Sequence, residues 1–148
     1  RGKYRIRLRG SARFGKNGIV PCPACMYTVD TNILIYHANG DTKVGRFLME
    51  QLEKDTHLFL PTVAVVEFFS FPRMNPHIQQ AFEALLTHLR IMPLDYSLSL
   101  VAAEVRRIYK LKLGDSVVAA TALYTHSALL TRNTRDFKKI RDLQLVTL

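Results

Sequence analysis

The sequence has no apolar run approaching the roughly 18–20 residues that a membrane-spanning helix needs. Its apolar stretches are short, and several carry a single acid, so it reads as a soluble protein with no membrane partner. Cysteine is almost missing: Cys22 and Cys25 form one C-P-A-C, and no second CxxC exists. Such a pair could be half of a zinc site or a redox couple. A tetrahedral zinc site needs four ligands, however, so an incidental pair in a tail is the preferred reading. The lack of other cysteines fits the reducing cytoplasm. There is no G-x-x-x-x-G-K-[ST] or G-x-G-x-x-G loop to cradle a nucleotide, and no G-x-S-x-G elbow for a serine hydrolase. Internal repeats are absent, and residues 1–25 contain no acid at all.

That last gap explains the net charge of +9. Seven of the 21 Lys and Arg (Arg1, Lys3, Arg5, Arg7, Arg9, Arg13 and Lys16) lie in residues 1–25, leaving 14 basic and 12 acidic residues in 26–148. Whole-chain charge is therefore a poor argument for a nucleic-acid partner. The first 25 residues are Gly-rich, basic and without periodicity. They have no apolar core of a secretory signal, and they read as a flexible arm or leftover upstream sequence. From Met26 the texture changes, and a single globular domain of 26–148 is expected.

Strand-like and helix-like segments alternate through that domain. Strands are expected at Tyr27–Asp30, His57–Leu60, Arg90–Leu94, Ala128–Thr131 and Leu143–Thr147. Helices are expected at Thr31–His37, Thr42–Lys54 (capped by Asp41), Val63–Phe71 (capped by Thr62), Pro76–Leu89, a long one from Asp95 or Ser97 to about Lys110, Ser116–His126 and Thr134–Ile140. Asn39-Gly40 and Gly114 are read as breaks. The apolar Ser116–His126 segment should be central. In the run Phe68, Phe69, Phe71, Pro72, Met74, Phe68 is expected in the core and at least one of the others at the surface. This alternation implies a three-layer α/β/α sandwich with a mainly parallel sheet, whose sites form beyond the carboxyl ends of the strands.

Four acids stand out against that frame. Asp30 ends the first strand, and Asp115 opens the central helix after Gly114; either could be a simple N-cap. Glu67 is flanked by Val65, Val66, Phe68 and Phe69, which leaves only a narrow polar strip for a surface carboxylate. Asp136 could be the N3 acid of a capping-box variant begun by Asn133. Each has an ordinary explanation, but together they fall on one predicted sheet edge. Carboxylates that converge repel unless positive charge lies between them, and hard oxygen ligands select Mg²⁺ or Mn²⁺. A receiver-type phosphoacceptor domain would also gather acids at strand ends, but it needs a late-strand lysine that "ALLTRNT" lacks.

The segments "YTVDTNILIY", "LPTVAVVEFF", "LGDSVVAATAL" and "LLTRNTRDF", in this order and spacing, resemble the PIN-domain ribonucleases, in particular the VapC-type toxins of toxin–antitoxin pairs. The resemblance covers about Met26 to Leu148. It implies a Rossmann-like sandwich and an Mg²⁺- or Mn²⁺-dependent endoribonuclease with one or two ions, cytoplasmic, usually a homodimer, and inhibited by a cognate antitoxin. It implies metal and catalytic roles for Asp30, Glu67, Asp115 and Asp136, the last alternating with the position of Asn133. Asn32, Thr131 and Asn133 match supporting polar positions. Hydrolysis by a metal-activated water would leave 5′-phosphate and 3′-hydroxyl ends. The basic residues Arg132, Arg135 and Lys138, with Lys139 and Arg141, are candidates for RNA phosphate contacts or a solvated helix face. Two other readings stay open: a PIN-type RNA-processing nuclease outside toxin–antitoxin systems, and a catalytically inert PIN-like binding domain.

Overall fold

Five strands, β1 (Met26–Val29), β2 (His57–Pro61), β3 (Arg90–Met92), β4 (Ala128–Leu130) and β5 (Leu145–Val146), form one sheet in a computed structural model that describes residues 26–148. Every pairing is parallel, in the order β3-β2-β1-β4-β5. The helices are α1 (Thr31–Ala38), α2 (Thr42–Glu53), α3 (Thr62–Phe69), α4 (Pro76–Leu86), α5 (Tyr96–Tyr109), α6 (Leu113–Thr125) and α7 (Thr134–Phe137). Segment 1–25, with Cys22 and Cys25, lies outside the described residues. Among the described residues no helix is long and apolar enough to cross a membrane.

Side chains on a strand alternate between faces, and adjacent residues of β4 divide between two cores accordingly. Leu129 packs with Leu98, Val105 and Leu111 and with α6 residues from Val117 to Ala122. Leu130 packs with Val29, Ile33, Leu34, Leu60 and Phe68 on the other face. The sheet is thus covered on both sides, the three-layer arrangement expected. Helix α6 is buried from Ser116 to Ala122, as its all-round apolar sequence requires. Phe68 is buried and lies 3.8 Å, ring centre to ring centre, from Phe82. Phe69 and Phe71 are half-buried and Pro72 is exposed.

Several boundaries depart from the sequence reading, each for a local reason. Gly114 does not break a helix. It lies inside α6, which starts at Leu113 with Lys112 at the N-cap. The break is made by Lys110, which closes α5 in the left-handed conformation at φ 52. Thr62 does not cap α3: Pro61 holds that place, and the Thr62 hydroxyl accepts from the Leu94 amide at 3.3 Å. Asp41 and Asp95 do cap, accepting from Val44 N at 3.1 Å and Leu98 N at 2.8 Å. Gly40, at φ +81, turns α1 into α2, a conformation that other residues adopt at a cost. Helix α7 is a single turn, and β3 and β5 are shorter than their apolar runs suggest.

Candidate active site

In chain order the strands run outward from β1 through β2 to β3, then cross back to β4 and β5. The direction reverses between β1 and β4, and the carboxyl ends of two such strands are where open α/β sheets place their sites. Asp30 and Thr131 are the residues immediately past these two strands. Their backbones continue the ladder: Asp30 N–H donates to Leu130 O at 3.1 Å, and Thr131 N–H to Val146 O at 3.0 Å. The ladder brings their side chains together, and Thr131 Oγ1 donates to Asp30 Oδ2 at 2.6 Å.

Asp30 occupies the N-cap position of α1 but makes no side-chain capping bond. Its Oδ2 instead takes a second hydrogen bond, from Asn32 Nδ2 at 2.6 Å. Asn32 also donates to Thr131 Oγ1 at 3.1 Å, and its Oδ1 accepts from the Arg132 amide at 3.3 Å. The residue is only 6% exposed. Burial raises its pKa to about 6; the bond from Thr131 works against the rise, and the nearby charges of Asp115 and Glu67 add to it. Asp30 is therefore a buried, electrostatically unfavourable carboxylate, and its cap position does not account for it.

Glu67 lies on α3 with its residue surface exposed, but its carboxylate turns inward. Thr31 Oγ1 donates to Glu67 Oε2 at 2.5 Å. Gly114 faces Glu67 from α6: a Cβ built there would overlap Glu67 Oε1. The glycine is therefore present for close approach. It lets a carboxylate from one helix rest against the first turn of another, where partial positive charge resides. Thr31 and Gly114 are the two residues that the sequence reading missed. Thr31 looked like the first helical residue, and Gly114 like a break. Only the contact between α1, α3 and α6 shows what they do.

Asp115 follows in the first turn of α6, at N3 and not at the N-cap. Its pKa is raised by burial first, then by Asp136 and Glu67, with Lys112 and Lys139 opposing. Asp136 sits in α7, and Asn133 Nδ2 donates to its Oδ2 at 2.9 Å. That bond, ahead of the neighbouring Arg135 and Lys139 charges, lowers the Asp136 pKa. The capping-box reading of Asn133 does not hold: Asn133 gives no side-chain cap to α7, and its amide faces the acid instead. Asn133 N–H itself donates to Thr131 Oγ1 at 2.9 Å.

The fold thus brings Asp30, Glu67, Asp115 and Asp136 to one rim, close enough to perturb one another. Asn32, Thr131, Thr31 and Asn133 supply short neutral donors between them. As the side chains stand, no three of the described His, Cys, Asp or Glu residues are gathered tightly enough to hold an ion. Three of the four carboxylates are tied to separate hydroxyl or amide donors, which relieves their repulsion. The ligand atoms of the four acids are all oxygen, and the raised pKa values of Asp30 and Asp115 are what a divalent cation would reverse. Such a set suits a hard ion such as Mg²⁺ or Mn²⁺.

The basic candidates separate. Arg135 is exposed, 3.6 Å from Asp136, and Lys138 and Lys139 are exposed. Arg132 is engaged within the protein, with Nη1 at 2.8 Å from Asp41 Oδ2.

A parallel α/β/α sandwich with carboxylates at its switch point and no phosphate loop defines a PIN-like domain. The PIN domain family model matches residues 27–143, and the chain belongs to this family of nucleases. Solved structures share the fold. VapBC2 from Rickettsia felis, bound to a DNA fragment from its promoter, superposes with a TM-score of 0.72 at 21% identity, over 83% of this chain and 98% of that one. A toxin–antitoxin complex from Klebsiella pneumoniae gives 0.67 at 27%, over 79% and 94%. VapBC-1 from nontypeable Haemophilus influenzae gives 0.68 at 22%, over 82% and 97%. Comparison with curated protein sequences gave no significant match.

Proposed function

We propose that the protein is a divalent-metal-dependent endoribonuclease, the toxin of a type II toxin–antitoxin pair. The observation that carries this is the buried Asp30 carboxylate, coupled to Asp115 and Glu67 at the β1/β4 switch point and raised to a pKa of about 6. A buried acid held at such a cost is a functional-site signal. The likeness to VapBC and other toxin–antitoxin complexes supports the toxin part of the reading.

Asp30, Glu67 and Asp115 would hold one or two Mg²⁺ or Mn²⁺ ions, with Asp136 direct or through water. When bound, such an ion acidifies a water and offsets the charge that develops on the phosphodiester. The chain's own contribution is positioning. Asn32 and Thr131 both hold Asp30 Oδ2 and so fix the orientation of the carboxylate. Thr31 fixes Glu67 against α6, and Asn133 orients Asp136 and keeps it ionised. Arg135, Lys138 and Lys139 flank the rim and would meet substrate phosphates.

The proposed partners are RNA, a cognate antitoxin and a second copy of the chain in the cytoplasm. Val66, Leu94, Tyr96 and Leu100 are exposed apolar side chains, and the Thr62–Leu94 bond joins α3 to the β3–α5 connection. They make a surface suited to a dimer mate. The test of function is incubation of mixed tRNA, rRNA and mRNA with and without Mn²⁺, followed by mapping of the cut ends. Metal-dependent cuts carrying 5′-phosphate and 3′-hydroxyl, absent in Asp30→Asn, are expected. Cleavage that survives in Asp30→Asn would sink the assignment.

A further inference from the structure

Arg132 directly follows Thr131, yet its guanidinium is engaged by groups outside the carboxylate cluster. Nη1 meets Asp41 Oδ2 at 2.8 Å, Nε donates to Leu148 O at 3.2 Å, and Cζ lies 4.2 Å from the centre of the Tyr36 ring. The two side chains of the ion pair are only 23% and 25% exposed. Four pieces of the fold meet there: the segment after β4, the end of α1, the α1–α2 turn and the residues after β5. Asp41 uses both oxygens, since Oδ1 caps α2 through Lys43 N and Val44 N at 3.0 and 3.1 Å while Oδ2 takes the arginine. On its other side Arg132 reaches the site through its backbone. Its N–H donates to Asn32 Oδ1, and Asn32 Nδ2 holds both Asp30 Oδ2 and Thr131 Oγ1.

We propose that Arg132 is a positioning residue and not a nucleic-acid contact: its clamp on Asp41, Tyr36 and the Leu148 carbonyl sets the Thr131–Asn133 backbone against Asn32 and thereby aims the Asp30 carboxylate. The inference rests on the reading of Asp30 as a metal-site residue. A fork of fixed N–H groups suits this task better than a lysine would, because it serves a carboxylate, a carbonyl and a ring face at once. Each element it ties together carries or adjoins part of the Asp30 environment.

Asp41→Asn isolates the clamp, because asparagine caps a helix as well as aspartate does but gives the guanidinium no charge. The test compares wild type, Arg132→Gln, Asp41→Asn and the double variant in three measurements. These are amide exchange of the metal-free protein, Mn²⁺ titration calorimetry well below the melting temperature, and the salt dependence of oligouridylate binding. The clamp predicts faster exchange at the Arg132 and Asn133 amides, which donate to Asn32 and Thr131 side chains, in all three variants, with the sheet amides, Thr131 among them, unchanged. It predicts Mn²⁺ affinity weakened by roughly 10-fold in each single variant and no further in the double, as for residues that orient a ligand. The oligouridylate salt slope should match that of wild type.

A phosphate contact predicts the reverse. Arg132→Gln alone would flatten the salt slope by about 0.7, and Asp41→Asn would leave RNA binding intact or strengthen it; that result overturns the proposal. Unchanged Mn²⁺ affinity in all variants, with destabilisation alone, would also overturn it. If wild type binds no Mn²⁺, the metal-site reading fails by itself. The exchange data then still decide the clamp, which unchanged protection at Arg132 and Asn133 would refute.

Discussion

At the residue scale the site is a set of carboxylates held against their preference. Asp30 has a folded-state pKa above its ordinary value of 3.8, so the native state holds that proton more tightly than the unfolded chain does. Its stabilising contribution is present below pH 3.8 and lost as pH rises through about 6. At neutral pH the ionised group therefore costs up to about 3 kcal/mol. Asp30→Asn should abolish activity and still raise the melting temperature of the metal-free protein at pH 7.5, because one amide oxygen can accept both bonds now made to Oδ2. The gain should shrink on titration to pH 4, and thermal scans at the two pH values check this. Gly114→Ala should leave stability unchanged or raise it by up to about 1 kcal/mol, since the clash falls on the far end of the flexible Glu67 side chain and alanine favours the helix, while expelling the Glu67 carboxylate from its place. Denaturant unfolding and Mn²⁺ titration would register the two effects separately.

At the element scale the starts of α1 and α6 and the second half of α3 hold the cluster together. The alternation of "YTVD", "HLFLP" and "ALLT" with helical patterns was enough to place the strands, and the buried character of α6 followed from its lack of a polar face. What sequence patterns misjudged were helix starts and stops. Gly114 looked like punctuation and proved to be a close-packing residue, while the real stop at Lys110 lacks the glycine that usually marks it. Lys110→Gly should therefore stabilise the protein by a few tenths to about 1 kcal/mol, since a left-handed conformation costs a side-chain-bearing residue roughly 1–2 kcal/mol and glycine's greater unfolded-state entropy offsets part of that; chemical denaturation checks the sign. The deeply buried Phe68 gives the opposite case. Phe68→Ala should cost about 3–5 kcal/mol, leaving α3, and Glu67 with it, loosely held.

At the scale of the whole molecule the sheet order decides the site. The reversal between β1 and β4 puts Asp30 beside Thr131, 101 residues later, where neither could find the other by local chemistry. Mn²⁺ at a hundred times its dissociation constant should add about 2.7 kcal/mol of stability to wild type and much less to Asp115→Asn; thermal shift with and without metal measures both.

By itself the sequence determined the fold class, the central helix and the identity of the four acids, because periodicity and misplaced charge are local properties. It could equally have meant three helix-terminal acids and one surface glutamate. Tertiary structure decided otherwise for three of them: Asp30 bonds across strands, Asp115 lies inside its helix, and Asn133 serves Asp136 instead of a cap. It also found Thr31, Gly114 and the inward commitment of Arg132. Those roles depend on which elements touch, and no spacing along the chain encodes a contact between atoms brought together only by the sheet.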